Sequence, residues 1–341
     1  MNEITHGADL AVRTVTVSYG NPPSAALANV TLTVPSGSVT AVLGPSGCGK
    51  STLLRVIAGL TQPDSGLVTL DGVDLAGVAP HKRGIGLMAQ SNSLFPHLTV
   101  GGNVEFGLRM LKVPSRTRRT RVAEVLELVG LPGWQDRLVT SLSGGEAQRV
   151  ALARTLAPAP KVILLDEPLG ALDRSLRDRL VPELAELFAL LSVTAVYVTH
   201  DQDEAFGIAD QLVVMNAGEI VQSGSPATVW AEPDSEFVAR FLGCSNIVDA
   251  NLQVLPAGTD RSTGRVLARS DSITLEPRSA ADSAVAVIRS IAFRGGRCTV
   301  VVALLDGDTA LEASIPSADA GALMVGELVG VRVDSVGVRA I

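Results

Sequence analysis

The chain has 341 residues, a formal net charge of −7 at pH 7 and an apolar fraction of 46%. This length predicts about two domains, and the acidic, dispersed charge lacks the basic surface typical of nucleic-acid-binding proteins, so we expect no nucleic-acid partner. The 3 cysteines are odd in number and far apart, which argues against a disulfide framework or a metal site and is typical of a reducing compartment.

No segment of the sequence predicts a signal peptide or a membrane span. The first residues carry Glu3, His6 and Asp9, which are foreign to the apolar core of a signal peptide. The longest apolar run, residues 187–198, is too short to span a bilayer and predicts a helix end, a turn and a buried strand. We therefore expect a soluble chain that reaches a membrane only through partners.

The first functional motif is a glycine-rich loop between a predicted strand at 39–43 and a predicted helix at 53–60. It fits G-x-x-x-x-G-K-[ST], in which backbone N–H groups and a helix N-terminus bind nucleotide phosphates. Lys50 is expected to reach the β- and γ-phosphates, and Ser51 to offer a hydroxyl to Mg²⁺. The alternative is a glycine turn that only caps a helix. The predicted nucleotide-binding residues of this phosphate loop (residues 44–52) are Gly44, Pro45, Ser46, Gly47, Cys48, Gly49, Lys50, Ser51 and Thr52.

From Leu10 to about Gly224, apolar runs alternate with helical patterns, which predicts an α/β unit with a largely parallel sheet. Two further runs, 161–165 and 195–198, are apolar without alternation and predict strands that are buried on both faces. Between Gln90 and Leu156 the pattern becomes mostly helical. We therefore predict an inserted helical subdomain at about residues 91–156.

The strand predicted at 161–165 ends in two carboxylates, Asp166 and Glu167. The end of a parallel strand lies at the sheet edge that also carries the phosphate loop. Asp166 suits a Mg²⁺ ligand, and Glu167 suits the base or the orienter of an attacking water. An isolated Asp-Glu pair is better interpreted as a polar strand end, but the phosphate loop upstream favours the catalytic interpretation.

A second candidate anion site is the signature segment (residues 142–146), in which Ser143, Gly144 and Gly145 open a predicted helix. Ser143 with Glu146 three residues later also fits a capping box. The two interpretations are compatible, because a capped helix start is also a phosphate-binding feature.

The C-terminal part has a different texture. A short helix is predicted at 236–242, and β-branched runs at 284–288, 298–302 and 328–333 predict a small all-β barrel or sandwich. We predict two domains, an ATPase domain at 1–243 and a β-rich domain at 244–341.

The phosphate loop, the signature segment and the Asp166–Glu167 pair together resemble the ATP-binding subunit of an ATP-binding cassette (ABC) transporter. Most other P-loop ATPases lack the signature segment. The resemblance covers about residues 10–245 and implies a P-loop NTPase cassette domain with an inserted helical subdomain. The tail resembles, less specifically, the small OB-like (TOBE) regulatory domain of bacterial importer ATPases.

The resemblance implies further site residues. Tyr19 matches the aromatic residue that stacks on adenine, and Gln90 matches the glutamine that senses Mg²⁺ and water and couples to the membrane subunits. Asp173 ends a loop (residues 170–173) that matches the loop crossing the dimer interface. His200 matches the histidine that contacts the γ-phosphate, and Lys50 and Glu167 complete the implied catalytic set.

The resemblance also implies cofactors, partners and location. ATP and Mg²⁺ would be bound in a head-to-tail dimer, with each ATP between the phosphate loop of one copy and Ser143 to Gly145 of the other. ATP hydrolysis would power uptake through integral membrane permease subunits, with an extracytoplasmic solute-binding protein as an indirect partner. The chain would then lie peripherally at the cytoplasmic face of the inner membrane.

Segments 79–84 and 92–100 resemble importers of ferric iron, polyamines, thiamine or related small ions more than sugar importers. Two departures stand out: Met88 and Ala89 precede Gln90 where many relatives have an aromatic residue, and Glu146 stands where glutamine is commoner. The alternative function is a soluble cassette ATPase in DNA repair or translation. The single cassette, with no long charged coiled-coil insertion and no basic segment, disfavours that alternative.

Overall fold

The computed structural model describes residues 7–20, 24–90, 94–170, 172–260, 262, 264–277, 284–305, 307 and 309–341. The chain divides into two compact units, Met1–Val229 and Trp230–Ile341. The domain bounds 1–243 and 244–341 remain a prediction from the sequence. Of the described helices, none combines the length and the apolar character that crossing a membrane requires.

The described strands are β1 (Leu10–Tyr19), β2 (Ser24–Val34), β3 (Val39–Leu43), β4 (Ser65–Leu70), β5 (Val73–Asp74), β6 (Ile85–Met88), β7 (Val162–Asp166), β8 (Thr194–Val198), β9 (Gln211–Asn216), β10 (Glu219–Gly224), β11 (Ile247–Asp249), β12 (Arg265–Ala268), β13 (Ile273–Pro277), β14 (Ala284–Arg294), β15 (Arg297–Leu304), β16 (Ala310–Pro316), β17 (Leu328–Val333) and β18 (Val338–Ala340). The described α-helices are α1 (Lys50–Ala58), α2 (Val100–Val104), α3 (Phe106–Met110), α4 (Ser115–Leu128), α5 (Gly144–Leu156), α6 (Arg174–Leu191), α7 (Gln202–Ile208), α8 (Pro226–Ala231), α9 (Glu236–Phe241) and α10 (Ser317–Ala320).

The central sheet of the first unit has the strand order β10-β9-β3-β8-β7-β6 and is parallel except for β10. The buried strands predicted around 39–43, 161–165 and 195–198 are confirmed as β3, β7 and β8. Because the strands are parallel, the loops that follow β3, β6, β7 and β8 all leave from one edge of the sheet. That edge carries the candidate site.

A second sheet of the first unit corrects the expectation of one largely parallel sheet. Strands β2, β1, β4 and β5 pair in that order and are antiparallel. Along β1, Leu10, Val12 and Val17 are buried while Arg13 and Thr14 are exposed. Such alternation is typical of an antiparallel sheet with one covered face, whereas β3, β7 and β8 are buried along nearly their whole length.

Helix α1 begins at Lys50, three residues before the predicted start, with Gly49 as its N-cap. Its C-terminal end is secured by Arg83, which is 6% exposed. The Arg83 guanidinium donates to the carbonyl oxygens of Val56 and Ile57 at 3.1 and 2.9 Å, and also to those of Leu75 and Val78. The resemblance of segment 79–84 to particular importers does not predict this structural role.

The mostly helical pattern predicted between Gln90 and Leu156 is confirmed by α2, α3, α4 and α5. Helix α4 buries Val122, Val125 and Leu126, whose i, i+3 and i+4 spacing places them on one face of the helix. These side chains and those of α5 share a core with β7 and β8.

The second unit is built from two antiparallel sheets, ordered β11-β12-β18 and β13-β17-β14-β15-β16. The three predicted β-branched runs lie in β14, β15 and β17, so the all-β prediction for the tail is confirmed. The Asn246 amide donates to the carbonyl oxygen of Glu312 at 2.8 Å and accepts from its N–H at 2.7 Å. The side chain of Asn246 thereby pairs with β16 in the manner of another strand.

Candidate functional site

The phosphate loop uses backbone positions that exclude side chains. A Cβ on Gly44 would lie 2.3 Å from the carbonyl oxygen of Met215, and a Cβ on Gly49 would lie 2.4 Å from that of Ala26. Gly49 also has a φ of 107°, in the left-handed region that favours glycine. These two glycines are therefore required for the loop to close tightly at the start of α1.

Lys50 lies over this loop and is 7% exposed. Its Nζ donates to the carbonyl oxygens of Gly44 and Pro45 at 2.6 and 2.9 Å. The ammonium is thus held at the centre of the loop, where a phosphate group would meet both the cation and the N-terminus of α1.

Glu167 lies just beyond β7 and is the centre of a three-residue contact. Gln90 Nε2 donates to Glu167 Oε2 at 2.7 Å, and His200 Nδ1 lies 3.2 Å from Glu167 Oε1. Glu167 has a φ of 47°, a left-handed conformation that is rare for residues other than glycine. Each carboxylate oxygen therefore has its own partner, and the backbone is held in a conformation that costs energy and is common at functional sites.

Ser51 and Asp166 form the second contact of the site. Ser51 Oγ donates to Asp166 Oδ1 at 3.3 Å. Burial raises the pKa of Asp166, and the charge of Glu167 raises it further, whereas the Ser51 hydrogen bond and Lys50 oppose the shift. In the described part of the chain, no group of three or more His, Cys, Asp and Glu side chains is arranged to hold a metal ion. A hydroxyl and a carboxylate oxygen nevertheless match the way Mg²⁺ is bound beside nucleotide phosphates, by few protein oxygens.

The signature segment lies at the start of α5. The predicted capping box is confirmed, and the Ser143 N–H donates to Glu146 Oε2 at 2.8 Å. Ser143 and Gly144 are exposed, whereas a Cβ on Gly145 would lie 2.9 Å from the side chain of Leu176. Ser143 and Gly144 therefore form the solvent-facing part of this helix start.

The structure thus brings Lys50 and Ser51 of the phosphate loop to the sheet edge where the strands before Gln90, Glu167 and His200 end. Tyr19 is 48% exposed at the end of β1, and Asp173 caps α6 by accepting from the N–H of Leu176 at 3.0 Å. Among the described residues, no hydrogen bond or ion pair joins Tyr19, Ser143 or Asp173 to Glu167. Ala171 and Asn92, which belong to segments named in the sequence analysis, lie outside the described residues.

One buried acid at this edge was not predicted from the sequence. Glu204 on α7 is 1% exposed and accepts hydrogen bonds from Tyr197 and Thr199, the latter preceding His200. Burial raises the pKa of Glu204, although both hydrogen bonds oppose the shift. A glutamate in the first turn of a helix is ordinarily a solvated, dipole-favoured residue, so no sequence signal marks this one as buried.

A parallel sheet with a phosphate loop after one strand, a carboxylate pair after another and a helical insertion bearing the signature segment defines the cassette class of P-loop ATPases. Comparisons with known proteins agree. The family described as "ABC transporter" matches residues 27–170. The chain is 48% identical over 336 residues to the Fe(3+) ions import ATP-binding protein FbpC of Streptomyces avermitilis, covering 95% of this chain and 96% of that protein.

Two further similarities were found. The chain is 46% identical over 244 residues to the putrescine transport ATP-binding protein PotG of Escherichia coli (strain K12), covering 72% of this chain and 64% of that protein. A solved dimeric ATP-binding cassette in a post-hydrolysis state, bound to ADP and Pi, matches with a TM-score of 0.57 and 32% identity, covering 64% of this chain and 98% of that one. The chain belongs to the ABC transporter family, as an ATP-binding subunit that hydrolyses ATP.

Proposed function

We propose that the chain is the energy-coupling subunit of a membrane importer and that Glu167 is its catalytic base. The main support for this proposal is that Gln90 and His200 both contact the Glu167 carboxylate, at the sheet edge that also carries the phosphate loop. Similarity over nearly the full length to an import ATP-binding protein supports transport over a role in DNA repair or translation.

In this proposal, Lys50 neutralises charge that develops on the phosphates, and His200 contacts the γ-phosphate. Glu167 accepts a proton from the attacking water or orients it, and Gln90 keeps the carboxylate in place. Ser51 and Asp166 would hold Mg²⁺, which supplies electrostatic stabilisation of the phosphate oxygens when bound. Tyr19, exposed at the end of β1, is proposed to stack on adenine.

The active form is proposed to be a head-to-tail dimer. A phosphate loop on one chain leaves the far side of the γ-phosphate facing water, whereas a second helix start would complete the charged cradle and exclude solvent. The exposed Ser143 and Gly144 and the dimeric state of the solved relative support this arrangement. Asp173 and its loop would cross the interface.

The proposed base role is tested by Glu167→Gln. We expect ATP binding and nucleotide-dependent dimerisation to persist while kcat for hydrolysis falls about 100-fold or more, because the amide cannot accept the proton. The measurements are steady-state phosphate release, and light scattering with and without ATP. Glu219→Gln is the matched control, since it makes the same chemical change at an exposed position on β10, outside the site. Turnover of Glu167→Gln near that of the unmodified chain would contradict the base role.

The transported solute is proposed to be ferric iron, a polyamine or a related small ion, as the names of the relatives suggest. Solute choice would then depend on permease subunits and an extracytoplasmic binding protein, with this chain peripheral at the cytoplasmic face of the inner membrane. The β-rich tail is proposed to be an OB-like (TOBE) regulatory domain.

A surface of the first unit is suited to a permease. An apolar groove of about 250 Å³ runs between β6 and α3, with Ile85 and Gly107 among its lining residues. On its rim Met110 and Leu111 are 64% and 55% exposed. The groove borders the strand that leads to Gln90, so an occupant of the groove would be close to the residue that holds Glu167. We propose an apolar cytoplasmic segment of the permease as that occupant.

A further inference from the structure

Next to His200 lies a partly buried ion cluster, defined here as Arg177, Tyr197, Thr199, Asp201 and Glu204; Tyr197, Thr199 and Glu204 are buried, whereas Arg177 and Asp201 are partly exposed. Glu204 Oε2 accepts from Tyr197 Oη at 2.9 Å and from Thr199 Oγ1 at 2.8 Å. Glu204 Oε1 lies 3.1 Å from Arg177 Nε, a close ion pair that lacks hydrogen-bond geometry. A carboxylate at 1% exposure is costly unless it is paired, and this one has a partner at each oxygen.

Arg177 connects this cluster to Leu172, the residue before Asp173. Its Nη1 donates to Asp201 Oδ2 at 2.7 Å, and its Nη2 donates to the carbonyl oxygen of Leu172 at 3.1 Å. One planar guanidinium therefore contacts the residue before Asp173 and the residue after His200. The fork geometry of arginine allows such simultaneous contacts, which a lysine ammonium cannot reproduce.

The cluster also fixes the chain on both sides of His200. Thr199 Oγ1 donates to Glu204 and accepts from the Asp201 N–H at 3.0 Å. The Thr199 N–H donates to the carbonyl oxygen of Val42 at the end of β3 at 3.3 Å. His200, whose Nδ1 lies 3.2 Å from Glu167, is thus flanked by two residues that the cluster holds.

Apolar packing would stabilise this edge as well as ion pairs around the buried Glu204 do, because the cost of desolvating charges opposes the gain from pairing them. The cluster does, however, provide a rigid polar connection between two loops. We propose that Arg177 and Glu204 are positioning residues that hold His200 and the segment Leu172–Asp173 as one unit. This inference rests on the proposed roles of His200 and Asp173. A partner copy that contacts Asp173 would thereby shift His200 relative to the γ-phosphate.

The test is a double-mutant cycle in the full chain. Glu204→Gln, which retains the shape of the side chain, and Arg177→Lys, which retains the charge, should each lower kcat about 10-fold while KM for ATP changes by less than about 2-fold. If Glu204 acts through His200, then Glu204→Gln has no further effect on kcat in a His200→Ala background. Arg179→Lys, an exposed position on the same helix, is the matched control.

Additive losses in kcat, or Glu204→Gln and Arg177→Lys variants that match the unmodified chain, would overturn the inference. Thermal melting of each variant excludes a simple loss of fold, and Arg177→Lys keeps the test available if Glu204→Gln does not fold. His200→Ala distinguishes the two proposals. If it leaves kcat unchanged, the proposed role of His200 fails; if it lowers kcat but the cycle is additive, only the positioning inference fails.

Discussion

Glu167 shows how a single residue can be held for chemistry at a cost in stability. Its left-handed φ of 47° is expected to cost about 1–3 kcal/mol relative to a relaxed backbone. The hydrogen bond from its N–H to the carbonyl oxygen of Val198 at 2.9 Å and the contacts of Gln90 and His200 with its carboxylate oppose relaxation. Two neighbours therefore set the direction of the carboxylate, and a third holds the backbone that carries it.

Gln148 on α5 is a second residue at which stability and polarity are opposed. It is 4% exposed, and among the described residues neither its amide nitrogen nor its amide oxygen has a hydrogen-bond partner. It lines a cavity of about 30 Å³ whose other walls include Leu165, Leu180 and Phe188. A buried amide without partners is expected to destabilise the fold by about 1–3 kcal/mol.

We therefore predict that Gln148→Met, which has a similar shape, leaves the free energy of unfolding unchanged or raises it by up to about 3 kcal/mol. Urea denaturation at neutral pH measures this change. Leu152→Met, a volume-conserving change at the same cavity, is the control and should alter stability by less than about 1.5 kcal/mol. A clear loss of stability in Gln148→Met would mean that the amide is hydrogen-bonded in solution.

At the scale of the element, α1 depends on Arg83 for its C-terminal end. Arg83→Met removes four charged hydrogen bonds to backbone carbonyls, which cannot all find other donors inside the protein. We predict a loss of about 3 kcal/mol or more in the free energy of unfolding, with weaker ATP binding because α1 begins at Lys50. Denaturation and nucleotide titration measure the two effects. Arg55→Met, on the exposed face of α1, is the control; equal effects of the two variants would contradict the prediction.

Helix α5 carries a pH-dependent cap. The backbone hydrogen bond from Ser143 is the main cause that lowers the pKa of Glu146 in the folded chain. A carboxyl group with a lower pKa when folded stabilises the fold above its unfolded pKa, and this contribution is lost as the pH falls through the folded value.

We predict that Glu146→Gln retains the capping box and most of the stability at neutral pH, but that the difference in melting temperature between the two chains shrinks or reverses at acidic pH. Thermal melts over a series of buffers from neutral to acidic pH test this. A difference that is independent of pH would show that the charge of Glu146 does not contribute to the cap.

At the scale of the whole molecule, the proposed permease groove makes a prediction about assembly. Met110→Asp with Leu111→Asp would place charges on the rim of the groove, where burial against an apolar segment is then unfavourable. We expect this variant to retain ATP hydrolysis as an isolated chain but to recover much less permease from detergent-solubilised native membranes. Leu190→Asp, at a position 75% exposed on α6, is the control.

The measurement is mass spectrometry of the proteins that co-purify, in the presence of ATP, with bait that carries Glu167→Gln, with or without the groove or control substitutions. Multi-span membrane subunits recovered by the bait and lost with the groove variant would agree with the proposal. Equal recovery with the groove and control variants would refute the groove as the docking site. Recovery of only ribosomal or DNA-bound proteins would contradict transport itself.

The sequence by itself determined those features whose signals are local. The phosphate loop, the carboxylates at the end of β7 and the capping box of α5 each depend on residues a few positions apart, so spacing was sufficient to find them. The uninterrupted apolar runs of β3, β7 and β8 likewise predicted buried parallel strands. The short strands of the tail were predicted from their β-branched residues.

Only the tertiary structure decided which distant residues meet. The contact between Gln90 and Glu167 joins positions 77 residues apart, and the order β3-β8-β7-β6 that creates it is set by packing and strand pairing. The same holds for the antiparallel sheet of β1, β2, β4 and β5, for Arg83 at the end of α1 and for Glu204 against Arg177. Whether a charged residue is buried, and which strand pairs with which, depends on the energies of contacts between residues far apart in the sequence. The residues next to it in the sequence do not reveal these contacts.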